Sequence, residues 1–311
     1  MRKSVKALLA VGAIVATPAI INHIIAKKAQ KRIDKRVRES VYGWEYGDIR
    51  YITAGKDGAP PLLLIHGIYP GASSLEWEGV MEQLAGKYKV YALDLLGFGY
   101  SSKPALDYCC YFYVRLIKDF IENVIGQKVT AVASLHSAAA LTVCAAFNPE
   151  DFEKILLVSP TGLEGDTPLS GSEDGMVKKA LETPIAGTLF YNLLCSKKAL
   201  PEFFEKTGLV GEFDKEKLDK IYLAAHAEGA SGKYAVASLL SKLFNADVRA
   251  SLSELEVPYH IILGEHQPGN DSFVVWNGID ESYPATIIEG AYLLPHMENP
   301  EDFCEACKNL L

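Results

Sequence analysis

Serine, histidine and carboxylate side chains that could exchange a proton cluster in three places, each just after a short apolar run. Val129–Ala133 leads into Ser134, Leu135, His136 and Ser137; Tyr259–Leu263 leads into Gly264, Glu265, His266 and Gln267; Thr286–Ile288 leads, past Leu293, to Pro295, His296, Met297 and Glu298. A hydroxyl, a base that takes its proton and an acid that steadies the base are the parts of nucleophilic catalysis. Each side chain also has a plain structural use. Ser134 and Ser137 can pack a turn or cap the helix that follows it. Glu265 and Asp271 can be solvated loop charges, and His296 can open a helix. His136 is a titratable group beside the turn, able to bind a ligand or to hydrogen-bond under a covering segment.

The elements that must position these groups read as alternating strands and helices. Ile49–Thr53, Pro61–Ile65, Lys89–Leu93, Val129–Ala133, Lys154–Val158, Tyr259–Leu263 and Thr286–Ile288 are short apolar runs of strand type. Helical patterns fit Leu75–Gly86, Tyr111–Ile125, Ser137–Phe147 and Pro300–Leu311. This order predicts an α/β protein with a mostly parallel central sheet flanked by helices. Between Gly162 and Leu255 the strand rhythm stops. Five helices are predicted there, over Glu173–Glu182, Leu189–Leu194, Lys198–Lys206, Lys215–Ala227 and Tyr234–Phe244. Such an insertion would lie over the C-terminal edge of the sheet, where open α/β sheets keep their ligand crevice.

Several segments together resemble the α/β-hydrolase superfamily, especially its epoxide-hydrolase and haloalkane-dehalogenase-like branch. Leu62–Gly67 resembles the family's strand and oxyanion loop, and Asp94–Ser101 its D-x-x-G-x-G-x-S turn. Gly264-Glu265 is similar to the acid loop, and Ile288–Pro300 to the terminal histidine loop and the helix after it. No G-x-G-x-x-G follows the first strand, which disfavours a dinucleotide fold. The resemblance implies an α/β-hydrolase fold over 41–162 and 255–311, with a helical cap over 163–254.

It also implies where the chemistry belongs. The family's nucleophile sits in a tight strand-to-helix elbow. Here that position falls on Leu135, and Pro149, fourteen residues on, keeps the family's spacing to an Asn/His-Pro. The acid position falls on Gln267 and the base position on Leu293. The branch's alternative acid site, at Ser159-Pro160-Thr161, holds no carboxylate either. Leucine cannot attack a carbonyl, and a neutral amide cannot stabilise an imidazolium as a carboxylate does. The candidates for a relocated site are Ser137 or Ser134 as nucleophile, with His296 or His266 as base. The oxyanion hole uses backbone N–H groups, here those of Ile68 and His136, so it outlasts side-chain loss. An apolar binding site lined by Ile68, Leu135, His136 and Leu293 is therefore expected.

Charge is uneven along the chain. Residues 1–40 hold ten Lys/Arg and two acidic residues, a net +8; with −8 overall, the remaining 271 carry −16. A basic arm on an acidic body suits a membrane and argues against nucleic acid. From Ala7 to Ala26 no residue is charged, long enough to span a hydrocarbon core. A cleaved signal peptide and an interfacial helix are the rivals. The apolar run continues past a poor cleavage site at Thr17-Pro18-Ala19, and it has no strong polar face. The heavier basic flank follows the span, which predicts a single-pass N-terminal transmembrane helix with the main domain on the cytoplasmic side. Cys304 and Cys307 sit three apart, but no second pair stands at metal spacing, and the six cysteines read as reduced thiols; no metal or cofactor is expected. The expected function is a membrane-anchored pseudo-hydrolase that binds an apolar small molecule or a protein partner. The alternative is an active membrane-associated serine hydrolase on esters or lipids.

Overall fold

The structure is a computed structural model that describes residues 20, 22–25, 27, 39–163, 170–211, 214–266 and 283–311. Eight strands form one sheet: β1 (Glu39–Trp44), β2 (Gly47–Ala54), β3 (Pro61–Ile65), β4 (Lys89–Leu93), β5 (Val129–Ser134), β6 (Phe152–Val158), β7 (Tyr259–Gly264) and β8 (Ala285–Ile288). Their spatial order is β1-β2-β4-β3-β5-β6-β7-β8. β2 pairs antiparallel with β1 and with β4; every other neighbour pair is parallel.

Successive residues of a strand point to opposite faces, so a strand buried on both faces must be apolar throughout. Leu63 and Ile65 enter one core while Leu62 and Leu64 enter the other. Ile155 and Leu157 split from Leu156 and Val158 in the same way. One face is covered by α1 (Glu78–Leu84) and the C-terminal helix α11 (Pro300–Leu310), through Val80, Met81, Leu84, Phe303, Cys304 and Cys307. The other is covered by α2 (Cys110–Phe120) and α3 (Leu135–Phe147). α3 is buried on nearly all sides, which its run of alanines allows by letting backbones approach closely.

Between β6 and β7 lie α4 (Ser172–Glu182), α5 (Ala186–Leu194), α6 (Ala199–Thr207), α7 (Lys215–Ala225), α8 (Lys233–Leu240) and α9 (Arg249–Ser253). A short α10 (Pro295–Glu298) precedes α11. The insertion shares one buried cluster with the sheet: Leu200, Phe204, Val210, Ile221 and Phe244 pack with Ile68, Leu135 and Leu294.

Several expectations shift. β1 lies upstream of the first strand expected, because its burial alternates only weakly. The helix expected over Leu75–Gly86 opens with a 3-10 turn at Ser74–Trp77. The helix expected to run to Phe244 stops at Leu240, with Lys242 left-handed at φ 60°. The helix expected to begin at Ser137 begins at Leu135. Among the described residues no helix is long and apolar enough to cross a membrane. Most of the expected span over 7–26 lies outside the described residues; Ile20 and Asn22–Ile25, which are described, are helical.

Candidate functional site

The glycine turn after β4 acts as a brace. Asp94 Oδ1 accepts from Ser74 N at 2.7 Å and Oδ2 from Tyr100 N at 2.7 Å. Ser101 Oγ donates to Asp94 O at 2.6 Å and accepts from Arg50 N. A Cβ on Gly99 would lie 2.3 Å from the Asp94 carboxyl carbon, so the turn needs glycine there. His66 Nε2 accepts from Leu95 N at 3.0 Å, which leaves Nδ1–H to donate to Gly67 O at 2.7 Å. The turn thus fixes the loop after β3 and the 3-10 turn that follows it.

Leu135 is the first residue of α3 and carries a φ of 53°. A left-handed conformation costs a branched side chain roughly 1–2 kcal/mol, and such strain persists where the surroundings over-determine it. The turn between β5 and α3 is therefore a strained elbow with Leu135 at its apex. The leucine side chain lies against the loop after β3: a Cβ on Gly67 would be 2.8 Å from Leu135 Cδ1. Ile68 and Leu135 are both buried in the main core, and Leu293 packs against it. His136 Nε2 lies 3.2 Å from Asn245 Oδ1, beneath Phe244. Three of the four expected binding residues thus belong to or border the same core, while His136 lies beside Phe244 of the insertion.

The relocation candidates are engaged elsewhere. Ser137 is fully buried and its Oγ donates to His66 O at 2.6 Å. Ser134, the last residue of β5, donates to Glu76 Oε1 at 2.5 Å. His266 is half-exposed beside Glu265 and Tyr292, away from both serines' partners. Gln267 and Asp271 lie outside the described residues.

Sequence reasoning missed Glu76, the centre of the site. Its Oε2 accepts from Gly67 N at 2.9 Å and Tyr69 OH at 2.7 Å; its Oε1 accepts from Ser134 Oγ and from His296 Nε2 at 2.8 Å. Both partners of the Glu76–His296 pair have no side-chain exposure. Trp77 stacks on the His296 ring with centroids 4.0 Å apart. Burial pushes the Glu76 carboxyl up, but the hydrogen bond and charge of His296, with His66 and Ser134, outweigh it and hold the group below its ordinary value. Four donors saturate a carboxylate, so Glu76 has no lone pair left for a substrate. His296 faces this carboxylate and not a hydroxyl. The signal was helical phase: position 76 lies four before the inward-facing Val80, while Glu78 and Glu82 point outward.

A cavity of about 120 Å³ lies at the seam between α7 and the turn before α1; Tyr69, Ser73, Glu76, Ile221 and Met297 line it. Ile68, Leu135, His136 and Leu293 are not among its lining residues. Lys220, also in its wall, pairs with Glu78 across the seam at 2.8 Å. The loop after β8 is joined to the insertion by Leu293 N to Gly208 O and Leu294 N to Leu209 O. Glu298 Oε1 accepts from Gly211 N at 2.6 Å and Oε2 from Tyr292 N at 2.7 Å.

The family model described as the alpha/beta hydrolase fold matches residues 60–177. An uncharacterized protein of Mycobacterium tuberculosis is 38% identical over 108 residues, 34% of this chain and only 31% of that protein's length. Epoxide hydrolase 1 of Caenorhabditis elegans is 26% identical over 319 residues, 92% of this chain and 76% of that protein. The solved structure of a membrane phospholipase A, described as a bacterial virulence factor, superposes with a TM-score of 0.68 at 21% identity, covering 100% of this chain and 98% of the other.

Proposed function

We propose, from the premise that this chain is an α/β-hydrolase by fold, that it is a membrane-anchored pseudo-hydrolase that binds an apolar small molecule or a protein partner. The observation that carries this reading is Leu135: the elbow keeps its strained left-handed apex while the side chain there has no nucleophilic atom. The two flanking serines are buried and bonded inward. Leu293, at the position the resemblance gives to the base, is equally inert. The seam cavity, lined by Tyr69, Ile221 and Met297, is the candidate binding site. At about 120 Å³ it is near the ~150 Å³ that holds a benzene-sized molecule, and well under the ~300 Å³ of drug-sized pockets. The uncharged run over 7–26 and the basic residues after it support the anchor, with the main domain on the cytoplasmic side.

A second reading has one observation in its favour. Ser134, Glu76 and His296 form a continuous hydrogen-bonded chain, and relatives include hydrolases. In that chain the carboxylate stands between hydroxyl and imidazole, so the histidine cannot take the serine proton directly. The two readings separate when folded protein in vesicles meets a fluorophosphonate probe and ester, epoxide and phospholipid substrates. The pseudo-hydrolase shows no labelling and no turnover. Labelling that disappears in Ser134→Ala or Ser137→Ala would establish the working hydrolase instead.

A further inference from the structure

The described N-terminal residues meet the insertion through one polar contact. Asn192 Nδ2, on α5, donates to Asn22 Oδ1 at 2.6 Å. Asn192 is buried, so the contact seats the C-terminal end of the uncharged stretch 7–26 against this helix. Ile20 and Ile24 are 58% and 45% exposed there. On the helix that carries Asn192, Phe190 and Leu193 are 46% and 59% exposed, and Met176 and Val177 of the adjoining α4 are 67% and 46% exposed. Phe190 and Leu193 are one helical turn apart and share a face. Half of the exposed large apolar side chains among the described residues, six of twelve, fall in these three stretches. Scattered exposed apolar residues need no explanation, but a set gathered on adjoining helices marks a contact surface.

We infer that this face of the cap, α4 and α5 with the end of the N-terminal segment, rests on the lipid bilayer. The inference builds on the anchor proposed above. A segment that enters the membrane beside Asn192 delivers lipid to the residues around it. An apolar helical face then sinks into the headgroup boundary, as interfacial helices do. The chemistry matches on the polar side too: Lys27, Lys28, Lys31, Arg32, Lys35, Arg36 and Arg38 follow the apolar stretch and suit anionic headgroups. The acidic body of a second copy also complements this basic run, so lipid is favoured by the uncharged stretch 7–26 that leads into this face.

The test uses the full chain in vesicles of phosphatidylcholine and phosphatidylglycerol. Met176→Cys, Leu193→Cys and, as an off-surface control on α3, Phe147→Cys are each made in a Cys109→Ser background, since the other native cysteines are buried. Each is labelled with bimane and read for quenching by doxyl-labelled phospholipid, while flotation with the vesicles reads the anchor. All three sites are exposed, so the fold should tolerate the label. Expected are flotation and quenching several-fold stronger at 176 and 193 than at 147. Flotation with equal quenching at all three sites overturns the bilayer contact and leaves the anchor standing. Failure to float overturns both. Cross-linking of the Leu193→Cys variant between copies, without lipid quenching, overturns the bilayer contact in favour of self-association.

Discussion

Glu76 and Leu135 do opposite things to stability, and each can be tested alone. The Glu76 carboxylate is buried with a depressed titration range, held there against burial by His296. A depressed carboxyl contributes stability above its unfolded-state value, ~4.3, and that contribution is lost as pH falls through the folded value. Unfolding free energy should therefore drop steeply on acidification below about pH 4.3. Glu76→Gln keeps the shape but replaces two acceptor sites with donors facing donors, and it strands His296. Breaking a buried pair from one side costs roughly 3–5 kcal/mol, so urea midpoints at neutral pH should fall accordingly and the acid limb should flatten. A variant as stable as the parent would show that the pair is dispensable. At Leu135 the usual order of helix residues should invert. Leu135→Ala loses the buried side chain, about 2–5 kcal/mol, and keeps the strained backbone. Leu135→Gly loses the same packing but relieves roughly 1–2 kcal/mol of left-handed strain, so glycine should be the more stable of the two.

At the scale of elements, the loop after β8 is clamped to the insertion by two backbone hydrogen bonds and by Glu298. Burial raises the Glu298 carboxyl above its ordinary value, against the pull of the Gly211 and Tyr292 amides. Glu298→Ala should leave both amides without their partner and free this seam to open locally. Amide exchange at Gly211, Leu293 and Leu294 should then quicken by about tenfold for each 1.4 kcal/mol lost, while β3 and β5 keep their protection. Uniform quickening across the sheet would mean global destabilisation instead. The strands of this sheet were legible because burial on both faces forces continuous apolar runs such as Leu62–Ile65. Five helices of the insertion were legible from their period, with ends displaced by a few residues, while α9, five residues long, is too short to show a period. β1 was not, since an edge strand with one solvated face carries a weak pattern. The elbow apex could be placed at Leu135 by register, and the structure puts the left-handed residue there. Glu76 escaped because its partners, Ser134 and His296, lie 58 and 220 residues away, and no local pattern encodes such a meeting.

For the whole molecule, charge asymmetry should set how the proposed anchor sits in a membrane. Arg2, Lys3 and Lys6 precede the uncharged stretch, and seven basic residues, Lys27 to Arg38, follow it. Orientation follows the flank richer in Lys and Arg, and acidic residues count little. The acidic body, at −16, therefore does not oppose a cytoplasmic placement decided by the flank beside the span. Replacing the seven following residues with glutamine leaves three positive charges before the span and none directly after it. The bias then reverses, and the main domain should move in large part to the opposite side. Protease access in sealed right-side-out and inverted vesicles reads this directly. The parent domain should be cut only from the cytoplasmic face, and the glutamine variant substantially from the other. An unchanged pattern would show that the folded domain, and not the basic arm, fixes the orientation.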